Sequence, residues 1–177
     1  MKKYIVLLLM CLVVTGAQAQ DDAIVKFFSK YMEDDRFSRV YISPKMMQMA
    51  GGFLKTEAKN LKQDEKDLGE LITKVRGIRI LSADGVNGKN LFNEAMGTLL
   101  KNKYEDLMDV ESKDSSVKFM VREENGLVKE LLMISGSKGD FTLLSMLGSF
   151  TYQDLNILAE NTSMPGMKEY QSGQKKK

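Results

Sequence analysis

Residues 116–135 read SVKFMVREENGLVKELLMIS and contain the strongest short-range structural signal of the chain. Apolar and polar residues alternate around Asn125-Gly126, the dipeptide that most favours a two-residue β-hairpin turn. Two further strand-like runs flank this hairpin, YEDLMDVES at 104–112 and DFTLLSMLGS at 140–149. Strands joined by such short turns pair antiparallel with their neighbours. The C-terminal half is therefore predicted to form a four-strand antiparallel meander.

The sequence upstream of the meander predicts helix, strand, helix, helix, strand and helix, and one more helix follows the meander. The segments that carry the clearest patterns are the strands FSRVYIS (37–43) and IRILSADG (78–85) and the helices DLGELITKV (67–75) and TYQDLNILAE (151–160). Gly77 is expected to end the helix at 67–75, and Asn90 is expected to cap the helix that follows the strand at 78–85. This order predicts an α+β fold: a mostly antiparallel sheet of about six strands with helices packed on one face.

The N-terminal residues predict a secretory signal peptide at residues 1–19. Two lysines precede an apolar run over residues 4–14, and a small-residue exit ends at Ala19. The run is too short for a membrane-spanning helix, so cleavage near Ala19 is expected. A lipoprotein would be acylated at Cys11, but bulky Met10 precedes this cysteine, which lies inside the apolar run. Membrane attachment through Cys11 is therefore disfavoured, and we expect an exported protein, periplasmic or extracellular.

The expected mature chain is a single α+β domain at residues 20–162 followed by a disordered polar tail at 163–177. Removal of 19 residues from 177 leaves a length typical of one domain. The whole chain has 26 Lys+Arg and 24 Asp+Glu, and the two lysines of the signal peptide leave with it. A formally neutral mature chain gives no electrostatic reason to expect nucleic acid as a partner.

The composition disfavours an enzyme. Cys11 is the only cysteine of the chain, and there is no histidine. These absences exclude a thiol nucleophile from the mature chain and remove the Ser-His-Asp arrangement and the usual zinc ligand sets. No catalytic residue, metal site or cofactor is predicted, and a non-enzymatic protein is expected.

The ordered set of apolar patterns resembles the DUF4252 family of exported Bacteroidetes proteins. The resemblance is carried by FFSKYMEDDRFSRVYISPKMM (27–47), LGELITKVRGIRILSA (68–83) and DFTLLSMLGSF (140–150), and it extends over residues 24–160. It implies a small α+β domain with a role in the cell envelope and no assigned activity. Many relatives look like lipoproteins, whereas this chain has the exit expected of a cleaved signal peptide.

The stretch VYISPKMMQMAGG (40–52) joins a strand to a methionine-rich helix. The helical spacing places Met47, Ala50, Phe53 and Leu54 on one face. The cluster of Met46, Met47 and Met49 is then either flexible core filler or an adaptable apolar contact surface.

Two later strands carry more apolar residues than a sheet with one wet face requires. Either both faces of the sheet are covered, or an apolar patch is open to a partner. Leu132 and Leu144, together with Met46, Met47 and Met49, form the candidate interaction surface.

The glycine-rich loop at 84–90 is a candidate anion-binding site. It joins a strand to a helix N-terminus, where backbone N–H groups can receive an anion. Gly85, Gly88 and Lys89 are its candidate residues, and a plain turn with a helix cap is the alternative.

The sequence thus predicts a non-enzymatic cell-envelope domain that binds a protein partner, or itself, through an apolar patch. The alternative is a periplasmic carrier of a small apolar ligand with the three methionines lining its cavity.

Overall fold

The computed structural model describes residues 22–57, 63–99 and 103–161, which form five helices and six strands. In chain order these are α1 (Asp22–Lys30), β1 (Phe37–Ile42), α2 (Pro44–Glu57), α3 (Gln63–Lys74), β2 (Val75–Asp84), α4 (Gly88–Leu99), β3 (Glu105–Glu111), β4 (Ser115–Glu124), β5 (Leu127–Ser137), β6 (Asp140–Phe150) and α5 (Tyr152–Asn161). The signal peptide and the tail predicted at 163–177 lie outside the described residues.

The six strands form one antiparallel sheet in the order β1-β2-β6-β5-β4-β3. The predicted α+β class, strand number and C-terminal meander are confirmed. Asn125 and Gly126 have φ values of 54° and 74°. Both residues thus adopt the left-handed conformation that the predicted hairpin turn requires. The last strand, β6, lies inside the sheet between β2 and β5.

The prediction that helices cover one face of the sheet is wrong, because helices cover both faces. The three-helix face packs against α2, α3 and α5 through Met47, Leu71 and Leu155. The two-helix face packs against α1 and α4 through residues that include Phe27 and Ala95. Strands β5 and β6 are apolar at consecutive positions, and a strand alternates its side chains between faces. Covering both faces removes both sets of side chains from water.

The two glycines inside α2 are explained by close packing of α2 against α3. The helix continues through Gly51 and Gly52. A Cβ at Gly51 would lie 2.6 Å from Thr73 Cγ2 of α3, whereas a Cβ at Gly52 would have no described atom within 4 Å. Gly51 therefore allows the helices to approach.

The boundary between α3 and β2 differs from the expectation. The helix ends at Lys74, and β2 begins directly at Val75 instead of after Gly77. Gly77 lies within the strand, where a Cβ would come 3.3 Å from the carbonyl oxygen of Ile42. This glycine therefore serves strand pairing and does not close the helix.

The start of α5 is fixed by reciprocal hydrogen bonds between Thr151 and Asp154. The backbone N–H of Thr151 donates to Asp154 Oδ2 at 2.7 Å, and the Asp154 N–H donates to Thr151 Oγ1 at 3.2 Å. This pairing satisfies N–H groups at the helix start, as in a capping box. Lys74 Nζ lies 2.6 Å from Asp154 Oδ1 and ties α5 to the end of α3.

Replacing Asp154 with asparagine is expected to lower the free energy of unfolding at pH 7 by about 1–2 kcal/mol. Burial alone would raise the pKa of the Asp154 carboxyl, but Lys74 and Thr151 outweigh burial and lower it. Such a group stabilises the fold above its unfolded pKa of about 3.9, and the contribution is lost as pH falls through the folded value. Urea unfolding at pH 7 and pH 3 should therefore show a smaller difference between the two proteins at the lower pH. Glu160→Gln, at an exposed position of the same helix, is the control. A difference independent of pH would contradict the role of the charge.

Candidate functional site

The outer surface of α2 carries an apolar stripe that the fold leaves exposed. Met46, Met49 and Phe53 are 59%, 62% and 68% exposed, and exposed Ala50 lies between them. Their spacing of three, four and seven residues places them along one side of the helix. We call these four residues the outer stripe. Met47 is buried in the core of the three-helix face, so the structure divides the three predicted methionines between two sides of α2.

Leu132 and Leu144 do not form a patch with these methionines. Leu132 is fully buried under the two-helix face, and Leu144 is partly buried against the three-helix core. The two leucines belong to opposite faces of the sheet, each covered by helices. Their assignment to an exposed interaction surface is therefore wrong, and substitutions there would test stability instead of association.

The glycine-rich loop has contacts that serve the fold. Gly85 has a φ of 68°. Asn87 Oδ1 accepts a hydrogen bond from the Asn90 N–H at 3.1 Å, so Asn87, and not Asn90, caps α4. Lys89 Nζ donates to the carbonyl oxygens of Ser112 and Lys113 at 3.2 and 2.9 Å. These bonds engage the lysine with the turn between β3 and β4, as expected for a turn with a helix cap, and give no support to anion binding.

Close packing accounts for the glycine at the start of α4. A Cβ at Gly88 would collide with the Asp140 carbonyl oxygen and would lie 2.8 Å from that of Ser137. Gly136 of β5 is equally constrained, because a Cβ there would collide with the Gly88 carbonyl oxygen. The two glycines let the start of α4 rest directly on the β5–β6 turn.

A groove lies between α1 and β1 on the two-helix side of the sheet. We call it the α1–β1 groove; its volume is 470 Å³, within the range typical of small-molecule sites. Its lining is mainly apolar and consists of Val25, Phe28, Ser29, Met32, Arg39, Val40, Tyr41 and Arg79. The floor of the groove is therefore supplied by the outermost strand and its neighbour.

Aromatic contacts and an ion pair hold α1 in position beside β1. The rings of Tyr31 and Phe37 stack with their centroids 4.3 Å apart. Tyr31 Oη donates to Glu94 Oε1 of α4 at 2.8 Å, and Lys30 Nζ lies 2.6 Å from the same oxygen. The wall of the groove is thus anchored to both the sheet and α4.

A second depression of 770 Å³ adjoins the groove and shares Val25, Tyr41 and Arg79 with it. Its remaining lining residues are Pro44, Arg76, Gly77, Arg122, Glu124, Lys129 and Leu147. The strand register places Arg79 opposite Tyr41 on one side and Ser145 on the other. Arg79 therefore lies where the apolar groove meets a basic surface.

A buried carboxylate network lies on the strands beside this basic surface. Glu130 is 3% exposed and accepts hydrogen bonds from Ser145 Oγ at 2.6 Å and Tyr104 Oη at 2.8 Å. Arg122 Nη2 lies 3.4 Å from Glu130 Oε2. Burial raises the pKa of Tyr104, and the Glu130 carboxylate raises it further. The tyrosine stays protonated and serves as a donor, so this network is suited to holding three strands together.

Neither of the two concave surfaces was predicted from the sequence. The groove arises where α1 crosses β1, and no local pattern reports that crossing. The signal available in the sequence was the strand-forming run of β1. Two residues of this run, Val40 and Tyr41, are exposed in the structure.

Within the described parts of the chain, no cluster of three or more acidic, histidine or cysteine side chains is suited to hold a metal ion. No helix there is both long enough and apolar enough to cross a membrane.

The described residues thus define a small α+β domain with one exposed helical stripe and one open groove. Residues 31–158 match the family model described as "Domain of unknown function (DUF4252)", and the chain belongs to this family. The family resemblance recognised in the sequence is thereby confirmed. Neither the curated proteins nor the solved structures gave a match to the chain.

Proposed function

We propose that this protein is a non-enzymatic, exported binding module of the cell envelope that a partner protein contacts through the outer stripe of α2. The observation that carries the proposal is the exposure of Met46, Met49 and Phe53 along one side of a helix whose other side already fills the core. Three large apolar side chains in one stripe are an unusual use of a protein surface and are typical of an interaction site.

The chemistry of the stripe suits a helix or another apolar surface of a protein. Full burial of each large side chain would contribute roughly 1.5–3 kcal/mol before the costs of association. Methionine adapts its shape to the opposing surface. Exposed Lys45, one turn before Met49, flanks the stripe and supplies a polar rim.

The non-enzymatic part of the proposal rests on the residue types of the chain. There is no histidine, and the one cysteine lies in the predicted signal peptide. Binding is therefore favoured over catalysis.

Site-specific photocrosslinking in the source cells tests the proposal. A benzophenone amino acid placed at position 49 or 53 of the full chain should give a crosslinked adduct of defined mass. The same probe at Glu70, an exposed position on α3, is the control. An adduct of twice the chain mass would identify a second copy as the partner. Adducts no stronger at 49 and 53 than at 70 would overturn the proposal.

Charge substitutions in the stripe should weaken the captured complex by at least about tenfold, because each buries a carboxylate against an apolar partner. Met49→Glu and Phe53→Glu are the test variants, measured by titration of purified residues 20–177 with the identified partner. Gln48→Glu introduces the same charge on the same helix outside the stripe and should bind as the unmodified protein does. Unchanged melting temperatures would show that the variants still fold. Equal affinities of all three variants would remove the stripe from the interface.

The carrier alternative is favoured by a different observation, the α1–β1 groove. The methionines that the sequence predicted for the carrier's cavity, Met46, Met47 and Met49, are absent from the lining of both described depressions. A carrier function would therefore use the two-helix side of the sheet.

A further inference from the structure

We propose that the α1–β1 groove binds a single-chain amphiphile with an anionic head group, with the chain along α1 and β1 and the head group at Arg79. The proposed ligand has a long acyl chain that ends in a carboxylate or a phosphate. This inference rests on the groove alone and is independent of the outer stripe, which lies on the other side of the sheet.

The apolar part of the ligand is indicated by the lining of the groove. Val25, Met32, Val40 and Tyr41 each remain more than 40% exposed although they converge on one concavity. Covering them with an acyl chain would remove this apolar surface from water, which is favourable at roughly 25 cal/mol per Å².

The anionic head group is indicated by the cations at the end of the groove. Arg76, Arg79 and Lys129 line the second depression, into which the groove opens, whereas Arg39 lines the groove itself. Within the described ranges, the carboxylates form ion pairs with Lys30, Arg36, Lys74, Lys118, Arg122 and Lys138, and with none of these four cations. A guanidinium can bind a carboxylate or phosphate through two parallel hydrogen bonds.

Nearby carboxylates do not cancel this positive surface, because Glu124 and Glu130 share Arg122 and leave one net negative charge beside the three cations Arg76, Arg79 and Lys129. Glu124 lines the second depression and lies 2.8 Å from Arg122 Nη1. Glu130 is held by Arg122, Tyr104 and Ser145. Arg39 Nη1 donates to the Met32 carbonyl oxygen, and Arg76 Nη2 to that of Gly148. These neutral acceptors hold the arginines in place without compensating their charge.

The separation of polarity along the site distinguishes an amphiphile from an acidic peptide. The groove is apolar along α1, and three of the four cations, Arg76, Arg79 and Lys129, lie where it opens into the second depression. A molecule with one apolar tail and one charged end matches this division. A peptide would bring backbone polar groups into the apolar section.

Fluorescence titration with cis-parinarate, an 18-carbon fatty carboxylate, tests the site on purified residues 20–177 below the concentration at which the probe forms micelles. The fluorescence should increase to saturation at one probe per chain. Palmitate and lysophosphatidate should both displace the probe, and the stronger competitor identifies the head group. Hexadecanol, which has the same chain length as palmitate and no charge, should compete at least about tenfold more weakly.

Variants assign the binding to the groove and to the cation. Arg79→Gln should weaken parinarate binding about tenfold or more and leave hexadecanol binding unchanged, because only the charged contact is lost. Lys66→Gln removes one exposed positive charge on α3 and should have no effect. Val25→Asp should weaken every chain-bearing ligand.

Four results would overturn the proposal. The first is that parinarate shows no saturable binding, and the second is that hexadecanol competes as strongly as palmitate while Arg79→Gln has no effect. The third is that millimolar acetate or phosphate alone displaces the probe. The fourth is that an acidic apolar peptide displaces the probe more strongly than palmitate does. A failure of this titration leaves the photocrosslinking outcome at α2 unaffected.

Discussion

Glu130→Ala is expected to lower the free energy of unfolding by about 3–5 kcal/mol, which is a large part of the stability of a domain of this size. The substitution removes the acceptor for Ser145 and Tyr104 and one of the acceptors for Arg122. The guanidinium would remain mostly buried, since the Arg122 side chain is 13% exposed. Urea unfolding at pH 7, followed by circular dichroism, measures the loss.

Glu130→Gln separates the charge from the shape of the side chain. Glutamine keeps the volume and one carbonyl acceptor but lacks the negative charge opposite Arg122. Its loss should therefore be smaller than that of alanine and still exceed about 1 kcal/mol. A loss below 1 kcal/mol for both variants would show that the network does not hold the strands together.

Gly88→Ala is expected to cost about 3 kcal/mol, at the upper end of the range for overpacked sites. The added methyl group would meet two backbone carbonyl oxygens at the β5–β6 turn, and backbone atoms cannot move aside as a flexible side chain can. Gly136→Ala should destabilise the same close approach from the other side, because its Cβ would collide with the Gly88 carbonyl oxygen. That Cβ would also lie 2.8 Å from Phe92 Cβ. Thermal and urea unfolding of each variant give the values.

Gly139→Ala is the matched control in the same turn. A Cβ at Gly139 would meet nothing within 4 Å, and Gly139 is absent from the residues with positive φ. Its stability should be unchanged or slightly raised, since alanine restricts the unfolded chain more than glycine does. Equal effects at positions 88 and 139 would argue against the close approach of α4 to the turn.

Local sequence signals predicted the sheet well. Asn125-Gly126 fixed the central hairpin, because few other dipeptides accept a positive φ at both positions of the turn. The short connections between the last four strands then left antiparallel pairing as the only solution. Consecutive apolar residues in β5 and β6 were compatible with two covered faces, but the choice between cover and exposure depended on where distant helices pack.

The interpretation of α2 was only partly right for a specific reason. The sequence placed Met47, Ala50, Phe53 and Leu54 on one inward face, whereas Ala50 and Phe53 are exposed. The inward face is centred on Gly51, which has no side chain and contributes nothing to a hydrophobic pattern. An apolar pattern therefore pointed to the wrong side of the helix, and the outer stripe could not be recognised from it.

The groove and the Glu130 network depend on tertiary contacts. Arg79, Tyr41 and Ser145 are distant in the sequence and become neighbours only through the pairing of β2 with β1 and β6. Glu130 lies in a mostly apolar strand, which was a signal for a buried and partnered carboxylate, but its partners could not be identified without the register.

The central position of β6 also has a consequence for the timing of folding. This strand is synthesised last, yet it joins β1 and β2 to the meander strands β3–β5. Until β6 has been synthesised, β1 and β2 have no strand that pairs them with β3–β5. The six-stranded sheet is therefore completed only after residue 150 has been synthesised, which favours folding after synthesis over folding during it.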